Sequence, residues 1–235
     1  SGAATTGTIT VNGGSVFVNA GGSAASDLGI DVNSGGTFNV NGGSVTGNGT
    51  ITVGGSFIAN GTVGGGSASV IVENGGMLSG SGDIAGDVVL QTGGILSPGN
   101  SVESLSMGNL TLSQGSNLVF EFRNAVGATP GTDWDLIDLG ASGVLDVSAL
   151  SAVNRATLNI DSWKADNTAH GGGVGPDWNN FDPLSSYEWL FIKVANLSNL
   201  VPNTSDDSFE RLFNIVDDAS NTGVFDIADG IPYTR

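Results

Sequence analysis

The chain has 235 residues, no cysteine, 39 glycines and a formal net charge of -17, from 23 Asp plus Glu against six Lys plus Arg. A chain of this size can bury a core without disulfide staples, and no run approaches the roughly 18 apolar residues of a spanning helix. So acidic a surface repels phosphate backbones and anionic lipid, which argues against nucleic acid and against direct membrane insertion.

Charged residues are only 12% of the chain while 39% are hydrophobic, the balance of a folded rather than a disordered sequence. The composition changes near Phe122. Before it lie most of the glycines, with Ser, Asn, Thr and Val; after it lie Arg123, Arg155, Lys164, Lys193, Arg211 and Arg235, and also Trp134, Trp163, Trp178 and Trp189. Residues 1–122 therefore read as a regular unit. Residues 123–235 read as a C-terminal cap and possible assembly element, joined through the Gly- and Pro-containing stretch 124–132. No methionine or charged-then-apolar leader precedes Ser1, so an exported, processed product or a fragment is expected.

The first unit is repetitive. Alternating apolar residues, a glycine turn and renewed alternation recur from Ile9 (ITVNGGSVFV), Ile30, Ile51, Val70, Val88 and Leu110, at spacings of 21, 21, 19, 18 and 22 residues. Period-two alternation puts one residue class on each face of a strand, and glycine relieves the φ > 0 penalty at the turn. A period near 20 that varies by a few residues suits a solenoid, whose turns absorb insertions while inward positions stay stacked. The spacing predicts a parallel β-helix. Its inward residues are Ile9, Val11, Val16, Val18, Ile30, Val32, Phe38, Val40, Ile51, Val53, Phe57, Val70, Val72, Leu78, Val88, Leu90, Leu96, Leu110, Leu112, Leu118 and Phe120. An antiparallel sandwich and a Gly/Ser linker are the competing readings. The first does not explain Gly-Gly at a fixed position of the period, and the second does not explain the apolar alternation.

In the second half, strands are predicted over 134–139, 144–147, 156–160, 187–194 and 224–227. Phe209, Leu212, Phe213 and Val216 fall at i, i+3, i+4, i+7, which predicts one short helix over 205–219.

The stretch 80–122, GSGDIAGDVVLQTGGILSPGNSVESLSMGNLTLSQGSNLVFEF, resembles the autotransporter-associated β-strand repeat, in the order GGxLSPGNS, then GNLTL, then GSxLxFE. The segments GTDWDLIDL, VLDVSAL and YEWLFIKV look like the tails of exported proteins that carry it. The resemblance implies an all-β, right-handed parallel β-helix with an irregular β-rich cap, on a secreted or surface-attached bacterial protein.

Catalytic chemistry finds little support. Residues 1–122 contain no Lys, Arg or His, so a lyase-type base on the coils is missing, and a non-enzymatic role is expected. Asp83 with Asp87, or Asp133 with Asp135 and Asp138, have hydrolase-like spacing only, and acids in solenoid turns are ordinarily solvating groups. His170 has no cysteine partners, and 171–175 lacks the Lys-Ser/Thr of a phosphate loop. Structural calcium is the one cofactor considered, with Asp133, Asp135, Asp138, Asp206, Asp207, Asp217 and Asp218 as weak oxygen-ligand candidates; EF-hand spacing is absent. Asn48, Asn60, Asn109, Asn196 and Asn203 match the glycan-acceptor pattern, a frequent coincidence in so Asn- and Thr-rich a chain.

Two functions remain. In the first, the chain is the β-helical subunit of an extracellular filament, sheath or surface layer, whose partner is another copy joined head to tail. Its candidate contacts are the edge residues Ile9, Val11, Val16 and Val18, the aromatics Trp163, Trp178 and Trp189, and the terminal residues Val224, Phe225, Ile227 and Tyr233. In the second, it is a cell-surface adhesin or carbohydrate-binding module that grips surface glycans.

Overall fold

The computed structural model describes residues 7–64, 68–163, 188–202 and 209–217. The chain winds as a β-solenoid of three parallel sheets, holding eight, eight and seven strands among the described residues. Each of the first seven coils contributes one strand to each sheet, and the eighth contributes one to each of two among the described residues. In the first coil these are Ile9–Val11, Gly14–Asn19 and Ser23–Ala25; in the second they are Ile30–Val32, Gly36–Asn41 and Ser44–Thr46.

The register reproduces the sequence period. Ile9, Ile30, Ile51, Val70, Val88 and Leu110 occupy paired positions of the first sheet, and the column continues through Leu145 to Leu200. In the second sheet Val16, Phe38, Phe57, Leu78, Leu96, Leu118, Leu158 and Ile215 form another unbroken column. A third runs through Ala24, Val45, Val63, Ile84 and Met107. Nearly all the predicted inward residues are buried; Ile9 and Val16, in the first coil, are half-buried against the same core. Like side chains meet across each coil step, so every layer excludes water from the next.

The glycine pairs have two different jobs. Gly75 turns the chain at φ +81°, a conformation that L side chains rarely adopt, while a Cβ on Gly76 would collide with the carbonyl of Val53 in the coil below. One glycine makes the corner and the other lets it seat. The same division holds at Gly93 (φ +77°) and Gly94, whose Cβ would lie 2.6 Å from the Val72 carbonyl oxygen.

Beyond Phe122 the coil continues rather than stopping. Strands Leu136–Asp138, Leu145–Asp146, Ala156–Ser162, Ile192–Lys193 and Leu200–Val201 extend the sheets in parallel register. Steps of the first sheet lengthen to 35 residues between Leu110 and Leu145 and to 55 between Leu145 and Leu200.

The helix expected over 205–219 is corrected. Phe209–Leu212 is a short 3-10 turn and Phe213–Asp217 is a strand, pairing Phe213 with Ala156 and Ile215 with Leu158. The open edge of Ala156–Ser162 offers a row of backbone donors and acceptors. Phe213 and Ile215 also alternate at period two, so pairing on the sheet overrides the helical spacing.

Candidate functional site

Two places concentrate chemistry. The first is a group of carboxyl groups where the regular coils meet the first long insertion, 123–135. Asp135 is fully buried. Its Oδ1 accepts the backbone N–H of Glu103 at 2.8 Å and its Oδ2 accepts that of Glu121 at 2.7 Å. In return, the N–H of Asp135 donates to the Glu121 carbonyl at 2.9 Å, and that of Leu136 donates to the Glu103 carbonyl at 3.0 Å. One side chain thus ties the corner before Ser104–Met107 to the second-sheet strand Asn117–Phe122.

Glu121 lies at an outward position of that strand, opposite Asp161 of the next coil. Its Oε2 is nevertheless closed off from solvent and has no hydrogen-bond partner among the described residues. Burial pushes the Glu121 carboxyl up to about 8, helped by the charges of Asp161 and Glu103. Burial also raises Asp135, against the two backbone N–H bonds that favour its charged form; Glu121 and Glu103 add to the rise.

Aromatic residues close the same region. Trp134 and Ala125 pack on Phe122, with Trp189 and Phe191 partly buried against them. The Trp134 indole N–H donates to the Leu190 carbonyl at 3.0 Å, and that of Trp189 donates to the Ala125 carbonyl at 3.2 Å. Phe120 and Phe191 have ring centroids 4.7 Å apart. These contacts fasten 188–191 to the insertion.

The acids proposed as calcium ligands do not share a site where they are described. Asp133 accepts the Asn124 side-chain amide and the Thr129 N–H, bracing the insertion from within. Asp138 pairs with Lys193 at 2.8 Å, and this contact holds its carboxyl below the usual range. Asp135 serves the backbone. Among the described residues no group of three or more His, Asp or Glu is arranged to hold a metal ion. Asp206, Asp207 and Asp218 lie outside the described residues, and Asp217 ends the last described strand.

The second place is the first coil. Its strands terminate their sheets among the described residues, each bonded to the second coil alone. Val11 and Val18 keep 4% and 7% exposure where Val32 and Val40 one coil on keep 1% and 0%. Asn33 donates to Asn12 at 2.6 Å and Asn41 to Asn19 at 3.2 Å, a polar ladder along the outside. Phe17 points outward and is 59% exposed.

Of the aromatics expected at an assembly surface, Trp189 lies 4.6 Å from Phe122 between ring centroids and so belongs to the molecule's own packing. Trp163 is half-buried, and its backbone N–H donates to the Phe122 carbonyl at 2.7 Å. Trp178, Val224, Phe225, Ile227 and Tyr233 lie outside the described residues. The sequence reading missed Glu103, Glu121 and Asp161. Alternation assigns Glu121 to solvent, yet its Oε2 is closed off in the folded chain. No protein-family model matches the chain, and no curated protein is significantly similar to it.

Proposed function

We propose that the chain is a structural protein, the β-helical subunit of an extracellular filament, sheath or surface layer, assembling end to end through strand edges. The observation that supports this best is the first coil. Its three strands are hydrogen-bonded on one side among the described residues, and its inward side chains are less covered than those of the second coil.

An unpaired parallel edge is a template for another strand. A second copy would extend all three sheets at once, continuing the apolar columns and the asparagine ladder. Contact between unlike ends does not close on itself unless the rotation forms a ring, so the product is a filament. The likeness of 80–122 to the autotransporter-associated repeat supports export, and the lack of cysteine accords with folding that needs no redox partner.

Negative-stain electron microscopy of the purified chain with sedimentation, with and without calcium, tests this. Regular filaments that Phe17→Lys or Val16→Lys shortens would support it. Monodisperse short rods at high concentration would sink it and favour the adhesin reading, in which the outward polar ladders bind surface glycans.

A further inference from the structure

We propose that Glu121 and Asp135, with Glu103 and Asp161 around them, form a proton-operated latch. It holds the inserted segment 123–135 and the coils after it while a proton is bound, and it loosens as the medium turns alkaline.

The geometry supplies the latch. Asp135 is wholly buried and bridges two backbone segments that are 18 residues apart in sequence, at Glu103 and Glu121. The charges of Asp161 and Glu103 act on Glu121, and those of Glu121 and Glu103 act on Asp135. Asp161 occupies the paired position on the neighbouring strand, and Glu103 sits at the corner, where its own Oε2 accepts the Asn100 N–H at 3.1 Å. Like charges in a poorly hydrated region repel far more strongly than in water, so the group cannot ionise completely at low cost.

The proton belongs to the pair: burial pushes Asp135 up to about 9, above the value of about 8 for Glu121, but the hydrogen bonding favours placing the proton on Glu121. Both oxygens of Asp135 already accept N–H groups, which suits a carboxylate, whereas the shielded Oε2 of Glu121 has no donor to stabilise a charge. The sign follows from the direction of the shift. Glu121 titrates at about 8 in the folded chain against an ordinary 4.5, so its contribution is full below the ordinary value and disappears as pH rises through the folded one. The segment released is the one clasped by Trp134 on Leu190 and Trp189 on Ala125.

Amide hydrogen exchange on the whole chain, corrected for intrinsic rates, tests the latch. Between about pH 6 and about pH 9, protection of the Glu103, Glu121, Asp135 and Leu136 amides should fall about tenfold or more, while amides around Phe38 and Phe57 hold theirs. Glu121→Gln, which imitates the protonated group, should remove most of that fall. The latch is overturned if wild-type protection at the cluster is flat, if Glu121→Gln keeps the full fall, or if the Phe38 and Phe57 amides lose protection equally. Should the variant fail to fold, carboxyl carbon chemical shifts of the wild type decide. A Glu121 midpoint above about 7 supports the latch, and one in the ordinary glutamate range overturns it.

Discussion

The rings of Phe38 and Phe57 stack with centroids 5.5 Å apart and planes within 9° of parallel, at paired positions of adjacent coils. Each is fully buried, and each is covered above and below by the same column. Phe57→Ala is expected to cost about 3 to 5 kcal/mol, because the void would open between Phe38 and Leu78 in a fully buried column whose hydrogen-bonded coils resist collapse. Urea unfolding followed by circular dichroism checks this, with Phe17→Ser, on the outer face, expected to stay within about 0.5 kcal/mol of the parent.

Gly76 and Gly75 should respond differently to substitution. Gly76→Ala drives a methyl group into the Val53 carbonyl and must push two coils apart, whereas nothing lies within 4 Å of a Cβ at Gly75. Gly76→Ala should destabilise by about 2 kcal/mol or more. Gly75→Asn should cost about half that or less, since asparagine tolerates positive φ. Paired thermal melts separate close approach from conformation.

Ser116 stands where earlier units carry their second glycine, and its buried hydroxyl has no hydrogen-bond partner among the described residues. Ser116→Ala removes an unsatisfied polar atom while keeping the Cβ, and should stabilise by about 1 kcal/mol. A lowered melting temperature would show that the hydroxyl is satisfied after all.

Asp138 and Lys193 give the opposite pH signature to Glu121. Lys193 lowers the Asp138 carboxyl, so the pair stabilises above the ordinary aspartate value and is lost as pH falls through the lowered one. Both side chains are partly exposed, at 25% for Asp138 and 50% for Lys193. Lys193→Met should therefore cost less than about 1 kcal/mol at neutral pH and nothing in acid or high salt. Melts at several pH and salt values measure it.

The columns were legible because parallel stacking repeats one demand at every coil. Ile30, Ile51 and Val70 each announce an inward position, and their spacing announces the register. The glycine pairs were legible for the same reason. Phe213 was misread because four apolar residues satisfy a helical period by coincidence when a sheet edge waits beside them. Glu121 escaped because period-two alternation marks it as outward, and nothing local in the sequence signals that its carboxyl is desolvated. Asp135, by contrast, was singled out as an acid in a short cluster, and only its neighbours reveal that it accepts two peptide N–H groups.

The two long excursions of the chain leave from the same corner. Residues 123–135 follow the second-sheet strand Asn117–Phe122 and precede Leu136–Asp138; residues 163–191 follow Ala156–Ser162 and precede Ile192–Lys193. Both junctions join a second-sheet strand to a third-sheet strand, and the strands on either side of each keep their parallel register. Foreign peptides spliced in at either junction should therefore leave the paired inward columns in register, as the native insertion 123–135 does between Asn117–Phe122 and Leu136–Asp138.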